Sequence, residues 1–270
     1  MPFSKNSQNL MTQFFHVFDT FSYNKTKTKQ SKMDTIFKKF YNELVISSSI
    51  YDKCYESMVT KTVIEVDNIK KIPGMDLVDS KYSSSLIKKE IMENGSDLLK
   101  FELKLQGINV EIYFLLFGRN GLENLRKYDL YVKDIFVFLK FLLFFMKGSN
   151  TKSISYYLFL TNMEKKLPTT KLKVLSSENC NTGLTFGCAE NARVLVYRKE
   201  EWFKVFIHET IHMFCLDFNN MHLENFHNKF SKLLHIKSDF NLYESYTEFW
   251  ALMFHSMFIA SKLVGEIKND

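Results

Sequence analysis

Arginine and alanine are scarce in this 270-residue sequence, with four residues of each. The net charge of +6 is therefore carried by lysines, which are spread along the chain in short runs such as residues 25–32. Dedicated nucleic-acid interfaces need clustered basic faces, so we expect no specific nucleic-acid binding. The 27 Phe and 13 Tyr residues, beside so little alanine and arginine, are typical of an AT-rich genome.

Cysteine is also scarce, and no two cysteines form a CxxC pair. The four cysteines are residues 54, 180, 188 and 215. A dense disulfide framework or a zinc site built from CxxC pairs is therefore excluded. This pattern predicts free thiols in a reducing compartment.

Long apolar runs are absent. The first ten residues, MPFSKNSQNL, contain no apolar stretch after the charge, so no secretory signal peptide is predicted. The longest apolar run, residues 135–146, contains Lys140 and is shorter than the roughly 20 residues needed to cross a bilayer. We therefore expect a buried helix there, no transmembrane segment, and an intracellular location.

Hydrophobic periodicity divides the chain into two parts. Residues 11–22 have phenylalanines at helical spacing and are followed by a polar, basic stretch, so residues 1–33 are predicted to form a helix and a linker. From residue 34 to residue 270 the pattern is that of one compact domain. Its order of elements predicts an α+β fold, with a small mixed sheet and a backing helix followed by a mostly helical C-terminal part.

The individual helices and strands are predicted from the spacing of hydrophobic residues and from turn-forming residues. Asp34 is predicted to cap the first helix of the domain, and Gln106-Gly107 to form the tight turn of a hairpin within residues 101–118. The other predicted strands lie within residues 58–67, 153–161 and 192–198, and the other predicted helices within residues 122–147, 199–217, 222–236 and 240–262.

The segment EEWFKVFIHETIHMFCLDF, residues 200–218, has the pattern HExxH. Positions four apart lie on one face of an α-helix, so His208 and His212 would direct their imidazoles to a common point. Zinc accepts neutral imidazole nitrogens at this spacing, and Glu209 would flank the metal as a general base toward activated water. The alternative is two histidines that merely share a helical face, because the motif fixes only three positions.

A catalytic zinc normally has three protein ligands, so a third is expected downstream. The extension HExxHxxGxxH is excluded, because Cys215 and Phe218 occupy the required positions. Glu244 and Glu248 lie four apart in the apolar stretch NLYESYTEFWALMF, on one face of a predicted helix. One carboxylate would bind zinc and the other would hold a ligand histidine. The histidines that remain as alternative third ligands are His222, His227, His235 and His255.

HETIH followed some thirty residues later by ExxxE resembles the gluzincin branch of the zincin metallopeptidases. The resemblance covers about residues 190–255 and implies a zincin-like fold and peptide-bond hydrolysis. It implies His208, His212 and Glu244 as zinc ligands, Glu209 as the base and Glu248 as support for a ligand histidine. ExxxE followed by aromatic residues is also similar to the lethal-factor-type peptidases. The lysine-rich, alanine-poor composition of the motif region is similar to that of uncharacterised predicted peptidases of large DNA viruses. For a protein of that kind, the expected location is the host cytoplasm or the virion.

The resemblance also implies parts that the sequence alone does not identify. In zincins an edge strand near the active helix pairs with the peptide substrate, and residues 191–198 or 180–187 would fill that place. An oxyanion-stabilising group is needed, with Tyr243, Tyr246 and His255 as candidates. Arg193 and Arg198 are candidates for binding a substrate carboxylate. No GxMEN-like motif is present, which disfavours an aminopeptidase.

Two other functions remain compatible with the sequence. The chain could keep a zincin fold without catalysis, as a structural or virion-associated protein. It could also bind a membrane or nucleic-acid surface through the basic N-terminal stretch, in which case binding would weaken with salt and vanish when residues 1–33 are deleted.

The third ligand can be tested by elemental analysis of purified protein. We expect the wild type to carry zinc, Glu244→Ala to lose it, and His222→Ala to keep it, because of these two residues only Glu244 would coordinate the ion. Zinc loss in His222→Ala with retention in Glu244→Ala would assign the third ligand to the histidine.

Overall fold

A computed structural model describes residues 32–267, except residues 119–124, 147, 169, 171, 173, 219–222, 238, 239 and 241. The helix predicted at residues 11–22, the basic linker up to residue 31 and His222 lie outside the described residues.

The described elements are a mixture of strands and helices up to residue 198 and are helical after it. The helices are α1 (Lys32–Met58), α2 (Met75–Val78), α3 (Ser85–Asn94), α4 (Arg126–Phe145), α5 (Ser177–Cys180), α6 (Trp202–Met213), α7 (Glu224–Leu234) and α8 (Leu242–Ile267). The strands are β1 (Thr60–Ile64), β2 (Gly95–Leu105), β3 (Ile108–Phe117), β4 (Ser153–Thr161), β5 (Gly183–Thr185) and β6 (Asn191–Arg198). A 3₁₀ turn covers Ile69–Lys71.

The six strands form one mixed sheet in the order β1-β2-β3-β4-β6-β5. β3, β4 and β6 are parallel, whereas β1-β2, β2-β3 and β5-β6 are antiparallel pairs. The predicted α+β class and mixed sheet are confirmed. The order places β5 at the outer edge and β6 inside the sheet, next to β4.

The predicted hairpin is confirmed in both its strands and its turn. β2 and β3 pair from Leu105 with Ile108 outward. Gln106 and Gly107 both have positive φ, 48° and 90°, the conformation that a two-residue hairpin turn with the right-handed strand twist requires. Glycine adopts this conformation without steric cost, which explains the QG pair at this point.

Alternating side chains of the strands cover two separate cores. On β4, Ile154, Tyr156 and Leu158 face the larger core, which α1, α4, α6 and α8 complete. Tyr157 and Phe159 face the smaller core, which is completed by residues 72–91. Both faces of the sheet are therefore covered, and the larger core presses α6 against the strands.

Aromatic rings join the helices of the larger core. Phe138 of α4 is fully buried and lies 5.8 Å from Phe206 of α6, measured between ring centroids. The same ring lies 6.0 Å from Phe254 and 6.1 Å from Phe258, both on α8. One phenylalanine thus contacts both helices that carry the candidate site, and these ring contacts fix the position of α8 on α6.

The helical predictions hold with shifted boundaries. α1 begins at Lys32, so Asp34 lies in its first turn rather than at the cap position that the sequence predicted. Arg126–Phe145 confirms the buried helix expected for the longest apolar run. Among the described residues, no helix combines the length and apolarity that crossing a membrane requires.

Truncation of Phe138 tests whether the ring contacts hold the two site helices in place. We expect Phe138→Ala to lower the free energy of unfolding by about 3–5 kcal/mol, because a fully buried aromatic leaves a cavity. Denaturant titration followed by circular dichroism measures this. Phe144→Ala is the matched control on the same helix: its ring is 50% exposed, so the loss should stay below about 1 kcal/mol. Equal losses in the two variants would contradict this account.

Candidate metal centre

Helix α6 carries HETIH and is held against the sheet by its opposite face. Phe206, Ile207 and Ile211 are buried in the larger core. Thr210 is fully buried, and its hydroxyl lies 3.2 Å from the hydroxyl of Tyr156 on β4. With this side fixed to the sheet, the other side of α6 directs His208 and His212 toward α8.

Three side-chain atoms from the two helices meet at one point. The Nε2 atoms of His208 and His212 are 3.1 Å apart. The Oε2 atom of Glu244, on α8, is 3.3 Å from His208 Nε2 and 3.4 Å from His212 Nε2. In the part of the chain that the structure describes, this is the one group of three or more His, Cys, Asp or Glu residues arranged to hold a metal ion.

The other nitrogen of each imidazole faces a carboxylate. His208 Nδ1 lies 3.0 Å from Glu248 Oε2, and His212 Nδ1 lies 2.6 Å from Asp217 Oδ2. A carboxylate only accepts hydrogen bonds, so both Nδ1 atoms carry the hydrogen and donate it. When the imidazoles are neutral, the lone pairs of both Nε2 atoms are thereby turned to the point that Glu244 Oε2 also approaches.

This donor set fits a zinc ion. Four ligands at 2.0–2.1 Å in a tetrahedron lie about 3.3–3.4 Å from one another, and the three separations found here are close to that value. Two imidazole lone pairs and a carboxylate oxygen facing one another repel unless a proton or a cation lies between them. Imidazole with carboxylate is a combination that zinc accepts, whereas calcium and magnesium prefer oxygen ligands alone.

Charges around the site favour a cation at this point. Burial lowers the pKa of His208, but its hydrogen bonds with Glu244 and Glu248 outweigh this and raise the pKa to about 9. Hydrogen bonds with His208 and His212 hold the pKa of the Glu244 carboxyl well below its usual range. The hydrogen bond with His208, opposed by burial and supported by Lys204, lowers the pKa of Glu248 to about 2. The carboxylates are therefore charged, and positive charge is stabilised beside them.

Asp217 is the site residue that the sequence analysis missed. Its side chain is 4% exposed and it lies in the turn after α6, five residues beyond His212. HExxH contains no position for it. The one sequence feature that could have indicated Asp217 is that an acidic residue closely follows the second histidine, at the turn after the helix.

Glu209 lies beside the three converging atoms, against the edge strand. A Cβ atom built on Gly183 of β5 would lie 3.3 Å from Glu209 Cγ and 2.8 Å from the carbonyl oxygen of Leu195. Glycine at 183 thus lets β5 approach Glu209 closely. Burial raises the pKa of Glu209 to about 7, although the charges of His208 and His212 oppose the shift. A carboxylate with this pKa is well matched to exchanging protons near neutral pH.

A cavity of about 700 Å³ opens over these residues. β5 and the residues around it, residues 180–187, line one side of this cavity, and residues of α6 and α8 line another. A cavity of this volume accommodates several residues of an extended chain or a ligand of comparable size.

The edge position belongs to β5, within one of the two segments that the sequence offered, residues 180–187. The other segment, residues 191–198, is β6, which pairs with β4 on one side and β5 on the other. Interior strands have no free edge, so that alternative was wrong. Sequence patterns did not separate the two segments because backbone pairing leaves little mark on side chains.

The structure separates the other candidates as well. Tyr243 lines the cavity. Tyr246 instead packs on Phe218, with ring centroids 4.3 Å apart, and His255 packs on Phe203 at 6.1 Å. His227 stacks on Phe240 at 4.2 Å. Neither Tyr246 nor His255 is among the cavity-lining residues, so Tyr243 is left of the three oxyanion candidates.

Both arginines suggested for a substrate carboxylate have other partners. Arg193 forms a two-fold salt bridge with Asp76, with nitrogen–oxygen distances of 2.7 and 2.6 Å. Arg198 is 2% exposed and donates to the backbone carbonyls of Asn181, Met163 and Glu178. Neither arginine is among the residues that line the cavity. Arg198 instead anchors the chain segments around the cavity.

Cys188 and Cys215 form a disulfide at the C-terminal end of α6, with Cα atoms 5.4 Å apart. The free thiols expected for these two residues are therefore a wrong prediction, whereas Cys54 and Cys180 are free. Cys215 follows α6, and the backbone NH of Cys188 donates to the carbonyl of Met213. A Cβ atom on Gly187 would lie 2.7 Å from the carbonyl oxygen of His212, so the segment after β5 packs directly on the end of α6.

Comparison of the chain with models of protein families, with curated proteins and with solved structures finds no significant match.

The disulfide gives a prediction for unfolding and for thiol chemistry. Its 27-residue separation predicts that reduction lowers the free energy of unfolding by about 3–4 kcal/mol, through added freedom of the unfolded chain. Without reductant, alkylation under denaturing conditions should label two cysteines, and after reduction four. Mass spectrometry counts the labels, and thermal unfolding with and without a dithiol measures the stability. Four labels before reduction would contradict the pairing.

Proposed function

We propose that the chain is a zinc-dependent peptidase of the zincin type, close in its arrangement to the gluzincins. The observation that carries the proposal is the convergence of His208 Nε2, His212 Nε2 and Glu244 Oε2 from two helices, with separations of 3.1–3.4 Å, beside Glu209 and an edge strand. Chance sharing of a helical face accounts for the two histidines. It does not account for a carboxylate from another helix at the same point.

In this proposal His208, His212 and Glu244 hold the metal, while Glu248 and Asp217 orient the two imidazoles. A bound zinc ion would supply Lewis acidity, lowering the pKa of water toward about 7 and polarising a carbonyl group. All three residues line the cavity, so a zinc ion held there would remain accessible to water or substrate, as a catalytic rather than a structural zinc requires.

The substrate's backbone would lie along β5. An edge strand exposes unpaired NH and carbonyl groups on its outer side, and an extended peptide can add to it as a further strand. β5 borders the cavity and Gly183 brings it against Glu209, so a peptide bond paired there would lie within reach of both the base and the three ligands. This arrangement supports the proposal that the substrate is a peptide or protein.

Glu209 would accept a proton from water as the water adds to the peptide carbonyl, and then deliver it to the departing amine. Its carboxyl is held between α6 and β5, and burial keeps its pKa near the range where it can both accept and donate. Tyr243, the candidate phenol that lines the cavity, would donate a hydrogen bond to the oxyanion that forms on the carbonyl.

Replacing Glu209 with Gln separates base chemistry from metal binding. We expect Glu209→Gln to retain zinc, since the amide has a similar size and lies outside the ligand set. Hydrolysis of a library of fluorogenic peptides should fall by about 10²–10⁴-fold, because a general base contributes that much.

Glu224→Gln serves as the matched control, since Glu224 is an exposed residue of α7 and should leave hydrolysis unchanged. Undiminished cleavage by Glu209→Gln would reject the assigned base. Zinc-loaded wild type with no turnover on any peptide would reject the peptidase and leave a metal-binding protein without this activity.

A further inference from the structure

Lys204 lies one turn before His208 on α6, on the stripe that faces α8. Its side chain is 15% exposed, unusually low for a lysine. The Nζ atom lies 2.7 Å from Glu248 Oε1. The same ammonium is 3.6 Å from Glu201 Oε2, which Lys165 also contacts at 2.9 Å. HExxH and ExxxE assign no role to this lysine.

Glu248 bridges two residues that are one helical turn apart on α6. Its Oε1 atom accepts from Lys204, and its Oε2 atom accepts from His208 Nδ1 at 3.0 Å. A carboxylate held at both oxygens has a fixed plane and a fixed position along the partner helix. Glu248 is therefore a clamp between α8 and two successive turns of α6.

The position of Glu248 determines that of Glu244. The two lie four residues apart on α8, so they occupy the same face of that helix, one turn apart. The two helices are antiparallel, because Lys204 contacts Glu248 whereas His212, further along α6, contacts Glu244, which is earlier on α8. A slip of α8 along α6 would move the third ligand away from both imidazoles.

The solvent exposure of the Glu248 carboxylate explains why it needs the ammonium group of Lys204 as a second partner. The Asp217 side chain, which holds His212, is 4% exposed, so water competes little for that hydrogen bond. Glu248 is 40% exposed and Glu244 is 52% exposed. An exposed carboxylate exchanges partners with water at little cost, and a single bond to His208 orients it weakly. The ammonium of Lys204 supplies the second, charge-assisted bond.

We propose that Lys204 is a positioning residue of the metal site: by holding Glu248 it sets the orientation of His208 and the register of α8, and through that register it places Glu244. The inference rests on the proposed function only in taking the three converging side chains as zinc ligands. Its direct consequence is a change in metal affinity, which is measured without any substrate.

The test measures zinc dissociation constants by competition with a chromophoric chelator. Lys204→Met keeps the apolar stem and removes the charge, and we expect weaker zinc binding by about 10–100-fold, the range for partners that orient a ligand. Lys204→Arg should restore most of the affinity. Glu248→Gln should weaken binding to a similar degree, and the Lys204→Met/Glu248→Gln double variant should be no weaker than the weaker single variant.

Lys133→Met is the matched control. Lys133 of α4 forms a comparable bridge, 2.6 Å from Asp52 Oδ1 on α1, remote from the ligand set, and its loss should leave zinc affinity unchanged. Circular dichroism checks folding, and Lys204→Gln replaces Lys204→Met if the latter does not fold. The cobalt-substituted protein adds a second readout, because loss of Glu244 from the ligand set changes the visible d–d bands.

Unchanged zinc affinity in Lys204→Met, or losses that multiply in the double variant, would overturn the proposal. A raised KM with unchanged zinc affinity would overturn it too, and would make Lys204 a substrate contact. These outcomes differ from the outcome that would reject the proposed peptidase activity. In that case zinc affinity would still change in the Lys204 variants, but no peptide would be cleaved. If the wild-type protein bound no zinc, both the peptidase proposal and the role of Lys204 would be rejected.

Discussion

The antiparallel packing of α8 on α6 is the contact on which the candidate site depends. Each helix supplies acidic or imidazole groups at a spacing of four residues, and each set alone is an ordinary helical stripe. Packing brings the stripes together, so that two imidazole nitrogens and one carboxylate oxygen form a triangle with edges of 3.1–3.4 Å between the helices. Phe138 and the rings around it on α6 and α8 make this packing rigid on the buried side. The polar cluster is thus held by an apolar core that lies directly behind it.

The sheet contributes a fixed surface and an accessible edge. The buried Tyr156–Thr210 contact attaches the middle of α6 to β4, while Gly183 and Gly187 let the β5 segment lie close along the side and end of the same helix. A larger residue at either glycine would push the strand away from Glu209 or from the carbonyl of His212. The close approach of the β5 segment to Glu209 and to the end of α6 therefore depends on glycine, which has no side chain, at both positions.

Local periodicity explains which parts of the site the sequence predicted. His208, Glu209, His212, Glu244 and Glu248 lie on two helices, where a spacing of four fixes a common face whatever the surrounding fold, and the structure brings all five together. The hairpin at Gln106-Gly107 was predictable for the same reason, since its turn conformation is set by two adjacent residues. Asp217 was missed because it lies beyond the regular helix, where spacing no longer determines direction.

Features that depend on contacts between distant segments were not predictable. The order of strands decides that β5 rather than β6 is the edge, and no residue within either segment encodes that order. The same holds for the Cys188–Cys215 pairing and for the partners of Arg193 and Arg198, which bury or neutralise groups that looked available. Lys204 is an intermediate case: its place one turn before His208 was readable, but its partner comes from a helix some forty residues later.

The disulfide divides the candidate metal site into two parts that differ in covalent constraint. Residues 188–215 form a covalently closed ring that contains β6, α6 and both histidines, whereas Glu244 belongs to a helix outside that ring. Local opening of α8 would withdraw one ligand while the imidazole pair stays confined within the ring. A metal held by the three side chains would therefore have two of its donors inside the covalent ring and the third on a helix outside it.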